Sequence, residues 1–254
     1  MKLAADNLHG LNPAVIDAFE RLDPEPITRM VCQFDQAGVD LIDINPGRLS
    51  RKREDRIAFM IDTVQSASRL RLILDSPDPR LLEIGLEVVR DRPIVSALSM
   101  EPYKLERILP LAKKYDAELI ILLMDEKSFT PATVDEKIAL SIQLRDACLK
   151  QGLKSDDLIF DPILPNLTWQ DARFRLGEIF KTVRLLSSGA VFQESVRTMC
   201  GLSNLRSGVR RLFPADYETQ AMAALTGAGL DILLANALDP KLLAQFSFLK
   251  QIID

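Results

Sequence analysis

The chain reads as an α/β protein folded as a single (β/α)8 barrel, and three observations lead there. Short apolar runs alternate with longer stretches of helical period. Eight such runs can be counted. The 254 residues match the ~250 that one such barrel usually takes. Alternating strands and helices imply parallel strands joined by right-handed crossovers, and runs that are almost continuously apolar suit strands covered on both faces.

Taken in order, a short first strand is expected at residues 3–5. VDLIDI, at 39–44, stops at Asn45-Pro46-Gly47, and LIL, at 72–74, stops at Asp75-Ser76-Pro77. PIV, at 93–95, leads to Ser96; ELIILLM, at 118–124, ends at Asp125; LIF, at 158–160, ends at Asp161-Pro162. Residues 199–202 end at Ser203-Asn204, and LDILLA, at 230–235, ends at Asn236. Between them, one helix shows an apolar face of Leu105, Ile108, Leu109 and Ala112, and another a face of Leu140, Leu144, Ala147 and Cys148. Gly38, Gly152 and Gly229 stand where a helix should end before the next strand. Asp239-Pro240 reads as a cap and first residue opening the last helix. A doubly wound open sheet would want GxGxxG after the first strand, and none is there. No linker or low-complexity tract divides the chain, so residues 1–254 are read as one domain, with 187–194 as its one flexible loop.

The composition, 47% hydrophobic and 27% charged, is that of an ordinary globular protein with a large core. A net charge of −4 gives no electrostatic reason to bind nucleic acid or an anionic membrane. The N-terminus lacks the apolar run of a signal peptide, and no stretch reaches the ~18 apolar residues of a spanning helix, so a cytoplasmic location is expected. Cys32, Cys148 and Cys200 are widely spaced without CxxC, which argues against a disulfide framework or a zinc site; each is read as a small buried apolar residue. Trp169 is read as helix packing.

In such a barrel the chemistry sits at the C-terminal strand ends, here Asp6, Asn45, Asp75, Ser96, Asp125, Asp161, Asn204 and Asn236. Nearly all are carboxylates or carboxamides, and no Lys, Arg or Cys closes a strand. The set suits a neutral, polar, planar ligand better than a phosphate. A single histidine, His9, leaves no Ser-His-Asp or Cys-His set. Asp75 and Asp161 have the chemistry to hold magnesium, but the abundance of amides favours an organic ligand, and no metal is expected on this chain. A pterin fits: its pyrimidine edge offers an amide N–H and an amino group side by side, and one carboxylate accepts both. No strand end is expected to supply a general acid titrating near neutrality.

Six stretches in order carry a resemblance: LIDINPG at 41–47, LILDSPDP at 72–79, PIVSALS at 93–99, LIFDPILP at 158–165, GLSN at 201–204 and AMAALTGAGLDILLANALDP at 221–240. Together they resemble the methyltetrahydrofolate:corrinoid/iron–sulfur protein methyltransferases and the folate domain of cobalamin-dependent methionine synthase, members of the pterin-binding barrel family that includes dihydropteroate synthase. The resemblance implies a dihydropteroate synthase-like barrel that moves the N5-methyl group of methyltetrahydrofolate, or a related tetrahydropterin, to the Co(I) corrinoid of a partner protein. It implies that Asp75 and Asp161 hold the pterin ring, that Asn204 bonds near N5 and is the catalytic residue, and that Asn45 lies in the same cup; Ser96, Asp6 and Asn236 are added to the substrate-binding set from their places at strand ends. Ser96 stands where relatives carry asparagine, and Ala5-Asp6-Asn7-Leu8-His9 where relatives open with a G-E-R-I-N-like stretch. Arg206, Arg210 and Arg211 form a basic group suited to a folate glutamate tail or an acidic partner. A homodimer is implied by the resemblance alone. Two alternatives stay open at this point. A dihydropteroate synthase-like enzyme would want a lysine after strand seven and an arginine–histidine pair at strand eight, where this chain has GLSNLRSG and LLANALDP. A non-catalytic pterin-binding or partner-docking paralogue would accommodate Ser96 and the altered first strand.

Overall fold

A computed structural model describes residues 1–253. Eight strands, β1 (Lys2–His9), β2 (Leu41–Asn45), β3 (Arg71–Asp75), β4 (Ile94–Leu98), β5 (Glu118–Leu122), β6 (Leu158–Asp161), β7 (Arg197–Gly201) and β8 (Ile232–Ala235), close into a barrel in chain order. Every pair is parallel, and β8 returns to β1. Among the described residues nine α-helices surround them: α1 (Pro13–Arg21), α2 (Glu25–Gln36), α3 (Asp55–Ala67), α4 (Pro79–Val88), α5 (Pro102–Lys114), α6 (Val134–Lys150), α7 (Ala172–Ser187), α8 (Asp216–Ala228) and α9 (Pro240–Ile253). The (β/α)8 barrel expected from the alternating pattern is therefore the fold, with two helices instead of one after β1.

Successive side chains on a strand face opposite sides, which gives the barrel two apolar layers. Ala4, Leu41, Ile73, Ile94, Ile159 and Met199 form a tightly buried plug in the lumen. Their sequence neighbours, such as Leu3, Ile42, Leu72 and Phe160, point outward into the core beneath the helices. At the end of the barrel opposite the C-terminal strand ends, Glu118 at the start of β5 takes Arg71 at 3.0 Å and Arg197 at 2.7 Å, while Arg92 takes Asp157 at 2.8 Å. Glu118 is nearly buried, and two guanidinium groups satisfy it there, pinning β3, β5 and β7 together.

Several boundaries differ from the sequence reading. The first strand runs to His9 because its register against β2 shifts between Ala5 and Leu8; this carries His9 opposite Asn45. β4 continues through Ser96 to Leu98, so Ser96 lies within the strand and not at its end. β5 stops at Leu122, and Asp125 lies beyond it, its carboxylate taking the backbone N–H groups of Lys127 and Phe129 to close a loop. The 187–194 segment is anchored: Glu194 binds Arg145 and Ser155, and the Phe192 ring lies between Phe160, 5.9 Å away, and the Arg145 guanidinium at 4.7 Å. The inner face of α6 is Lys137, Leu140, Ser141, Leu144 and Cys148, so the expected face misses a charged member. Cys32 is exposed on α2, whereas Cys148 and Cys200 are buried. Trp169 precedes α7, is exposed, and carries the Arg175 guanidinium over its ring.

The three helix-ending glycines all adopt left-handed backbone, with φ of +70° at Gly38, +87° at Gly152 and +93° at Gly229. Alanine in that region costs roughly 1–2 kcal/mol from backbone sterics alone. At Gly38 an added Cβ meets nothing within 4 Å, whereas at Gly229 it falls 2.7 Å from the Ser187 hydroxyl, which is itself bonded to the Ala228 carbonyl. Urea unfolding is thus expected to rank Gly229→Ala as more destabilising than Gly38→Ala, with Gly38→Ala losing ~1–2 kcal/mol; the reverse order would show that Ser187 yields freely.

Candidate active site

The two-residue strand period decides what faces the lumen above the aliphatic plug. Asp6 follows Ala4, Asp43 follows Leu41, Asp75 follows Ile73 and Asp161 follows Ile159, each two positions on. Four carboxyl groups from β1, β2, β3 and β6 therefore converge, with Asp43 and Asp161 almost fully buried. Three of the four have a polar partner. Asp75 accepts the Asn45 side-chain amide at 2.7 Å and the Ser96 hydroxyl. The Asn45 carbonyl oxygen is meanwhile taken by the Gly47 N–H at 3.0 Å, which fixes the amide's orientation and leaves one N–H of its NH2 free at the cavity. Asp161 accepts the Ile163 N–H at 2.7 Å. Asp6 accepts the Ser203 hydroxyl.

Burial withdraws water from these acids and favours their neutral form. It raises Asp75 to about 6, against the pull of the Ser96 and Asn45 hydrogen bonds, and Asp161 to about 7, with the negative charge of Asp75 adding to the rise. Asp43 lies well above the ordinary carboxylate range because burial is compounded by Asp75 and Asp6. Asp6 is raised by burial and partly rescued by Ser203 and Arg210. The expectation that no strand end supplies an acid titrating near neutrality is thereby overturned. The reason is cumulative burial of like charges, which no single residue type announces.

Asp6, Asp43 and Asp75 open into a cavity of about 700 Å³ that is also lined by His9, Asn45, Arg48, Ser203, Asn204 and Arg210. Positive charge does reach the site, but from loops: Arg48 follows β2, and Arg210 follows the 3-10 turn at Leu202–Arg206. His9 accepts the Leu11 N–H on Nδ1, and burial followed by Arg210 lowers its pKa, which keeps it neutral. Asn204 sits in that 3-10 turn, beside Gly201 at the end of β7. With Ser207 it also lines a second, more open cavity of about 690 Å³ whose walls include Met124, Phe129, Ile163 and Trp169. Asp161 and Ser96 are not among the residues lining these two cavities; each stands on its strand next in the lumen-facing row above Ile159 and Ile94.

Two sequence-named groups lie elsewhere. Asn236 accepts the Asn7 side-chain amide at 2.6 Å and the Leu238 N–H at 3.0 Å, while Asn7 takes the Ala237 N–H. This pair ties β1 to the β8–α9 loop and borders a separate cavity of about 210 Å³. Arg206 spends its guanidinium on the Phe213 and Arg210 carbonyls and on Glu218 at 3.2 Å, which folds the β7–α8 loop; Arg210 is the arginine that reaches the cup. Asp43 was missed by reading only strand ends, although its place two residues before Asn45 on one strand face was a signal. Among the described residues no group of three or more His, Cys, Asp or Glu side chains is placed to hold a metal ion, and no helix is long and apolar enough to cross a membrane.

Burial and the neighbouring acids Asp75 and Asp6 bias folded Asp43 toward its protonated form, whereas the unfolded chain releases that proton above pH ~4. Folding stability therefore falls as pH rises above that value, until the folded group itself ionises. Asp43→Asn removes this drain, so the stability of the variant relative to wild type is expected to grow as pH rises above ~4 and to level off where the folded carboxyl ionises, by up to ~1.4 kcal/mol per pH unit. Urea midpoints across that range test it; a difference independent of pH would contradict a neutral, buried Asp43.

The family described as pterin binding enzyme matches residues 14–239. The chain is 26% identical over 234 residues to a methylcorrinoid:tetrahydrofolate methyltransferase of Eubacterium limosum, covering 87% of this chain and 81% of that protein. Among solved structures it is similar to a Coxiella burnetii dihydropteroate synthase in complex with pteroic acid, with a TM-score of 0.71 at 16% identity over 99% of this chain and 91% of that one. It is also similar to the Yersinia pestis dihydropteroate synthase, with a TM-score of 0.69 at 14% identity over 99% and 93%. Identities that low speak to the shared barrel and not to its chemistry. The family match spans nearly all of the chain, from α1 to the start of α9, and takes in three of the four buried carboxylates: by its fold and its sequence, this chain belongs to the pterin-binding enzyme family.

Proposed function

We propose that this protein is a cytoplasmic methyltransferase that binds methyltetrahydrofolate in the carboxylate-lined cup and exchanges its N5-methyl group with a corrinoid held by a partner protein. One observation carries the reading beyond pterin binding: Asn204 is shared by two adjoining cavities. One is the polar cup for the pterin; the other is the more open, aromatic-edged hollow from which a second reactant can approach the same side chain. The Eubacterium limosum relative and the absence of a lysine after β7 support methyl transfer over pteroate synthesis.

In this mechanism Asp75, steadied by Asn45 and Ser96, and Asp161, steadied by Ile163, accept hydrogen bonds from the pyrimidine edge. Arg210 and Arg48 stand at the mouth, where the glutamate tail of a folate emerges. The corrinoid supplies the cobalt that takes or gives the methyl group. An amide anion is a very poor leaving group, so N5 must gain a proton as the methyl leaves and lose one as it arrives. Asn204 stabilises the changing charge at N5, through its carbonyl oxygen when N5 is protonated and through its NH2 when the lone pair develops. Asp43, which lines the cup and whose proton affinity is raised by burial, is assigned the role of proton donor, as buried acids serve elsewhere. The same residues serve either direction of transfer, including the one in which the relative's name is written. The whole chain acts as one pterin-binding domain, and we expect it to work as a homodimer.

Calorimetric titration with methyltetrahydrofolate is expected to show binding weakened tenfold or more in Asp75→Ala and Asp161→Ala, because each leaves ring donors unpaired in a buried site at ~1–3 kcal/mol. Unchanged affinity in both variants would remove the pterin assignment. Asn204→Ala is expected to slow single-turnover methylation of a reduced corrinoid protein by ~10²-fold while weakening pterin binding less, since its interaction strengthens in the transition state. A wild-type rate in that variant, with the fold intact by circular dichroism, would favour a docking role over catalysis.

A further inference from the structure

Lys137 is one of the largest fully buried side chains in the protein, only 1% exposed. It sits one turn inside α6, on the face that packs against the barrel. Its ammonium donates to the Pro162 carbonyl at 2.9 Å, a wholly buried bond. A methionine would fill such a place at far less desolvation cost, so the charge needs a reason.

The reason lies in the turn it touches. Pro162 has no N–H to offer, and its carbonyl is the group that Lys137 holds. Ile163, next in the chain, has a φ of +62°, a left-handed conformation that a β-branched residue adopts only when its surroundings enforce it. The N–H of that same residue donates to Asp161 at 2.7 Å. The turn is thus clamped twice, by Asp161 from the lumen and by Lys137 from behind.

We infer that Lys137 is a positioning residue for Asp161, holding the 161–163 turn in the shape that presents the carboxylate and placing a positive charge behind it. This deepens the proposed function and rests on its assignment of Asp161 to the pterin. The groups facing Lys137 are Asp161 from β6, Cys200 from β7, Arg175 from α7 and Glu136 from its own helix. Burial, then Arg175, lowers its pKa to about 8, and Asp161 opposes that fall. Conversely, Lys137 and the Ile163 N–H hold down an Asp161 that burial and Asp75 push up to about 7. Lys137 therefore biases Asp161 toward its ionised, hydrogen-bond-accepting form in the pH range where the two titrate together.

The test compares Lys137→Met, which loses both donor and charge, with Lys137→Gln, which keeps a donor and loses the charge; if the first does not fold, the second carries every comparison alone. Without any ligand, the Asp161 carboxyl carbon is followed by NMR in aspartate-labelled protein and identified by its disappearance in Asp161→Asn. Its titration is expected to move up by about one pH unit in Lys137→Gln. With methyltetrahydrofolate as probe, the acid limb of binding is expected to move up equally, with affinity at pH 7 falling about fivefold as the ionised fraction of Asp161 drops from about one half to about one tenth. In the Asp161→Asn background the same Lys137 substitution is expected to change affinity less than about twofold, because the effect runs through Asp161. An unmoved Asp161 titration, or an equal loss of affinity in both backgrounds, overturns the inference and leaves Lys137 as packing. A shifted titration in a wild-type protein that binds no pterin would instead sustain the Lys137–Asp161 link and remove the functional reading.

Discussion

Closing eight parallel strands into a barrel forces every second side chain of each strand into a shared interior, and the rest of this structure depends on what fills it. Lower down, Leu41, Ile73, Ile94 and Ile159 fill the lumen with branched aliphatic volume. One step higher, the same faces carry Asp43, Asp75, Ser96 and Asp161. The aliphatic plug closes the floor, so these acids have water on at most one side. Their raised proton affinity follows from that geometry.

Acids placed this way stay in one orientation only if their neighbours saturate the oxygens that the ligand does not use. Asn45 and Ser96 do so for Asp75, the Ile163 N–H for Asp161, and Ser203 for Asp6. Lys137 belongs to the same arrangement at one remove. The likeness to dihydropteroate synthases at 14–16% identity is a likeness of barrels: the closed ring of strands is the shared architecture, and what a barrel does is set by the side chains and loops at its C-terminal strand ends.

Much of this was legible in the chain. Apolar runs at regular spacing determined the barrel, because strands buried on both faces tolerate little else. Left-handed glycines at 38, 152 and 229 determined where helices end, because side chains pay a steric penalty there. Asp75 and Asp161 could be named because each stands just after an apolar run with turn chemistry following. Register, however, comes from pairing with a neighbour. The shift between Ala5 and Leu8 that lengthens β1 to His9, and the continuation of β4 through Ser96, depend on what β2, β3 and β5 offer in hydrogen bonds.

The tertiary structure alone decided which polar residues meet. Asn236 and Arg206 looked like site residues in one dimension; in three they are saturated by Asn7, the Leu238 N–H, Glu218 and two backbone carbonyls. Asp43 and Lys137 drew no reading from the strand ends; in the fold Asp43 lines the cup and Lys137 holds the Pro162 carbonyl next to Asp161. Composition and periodicity report the environment a residue needs on average, so the sequence by itself determined the barrel and its ring of acids. Proton affinity and hydrogen-bond saturation are set by groups tens or hundreds of positions away, and only folding brings those within a few ångströms.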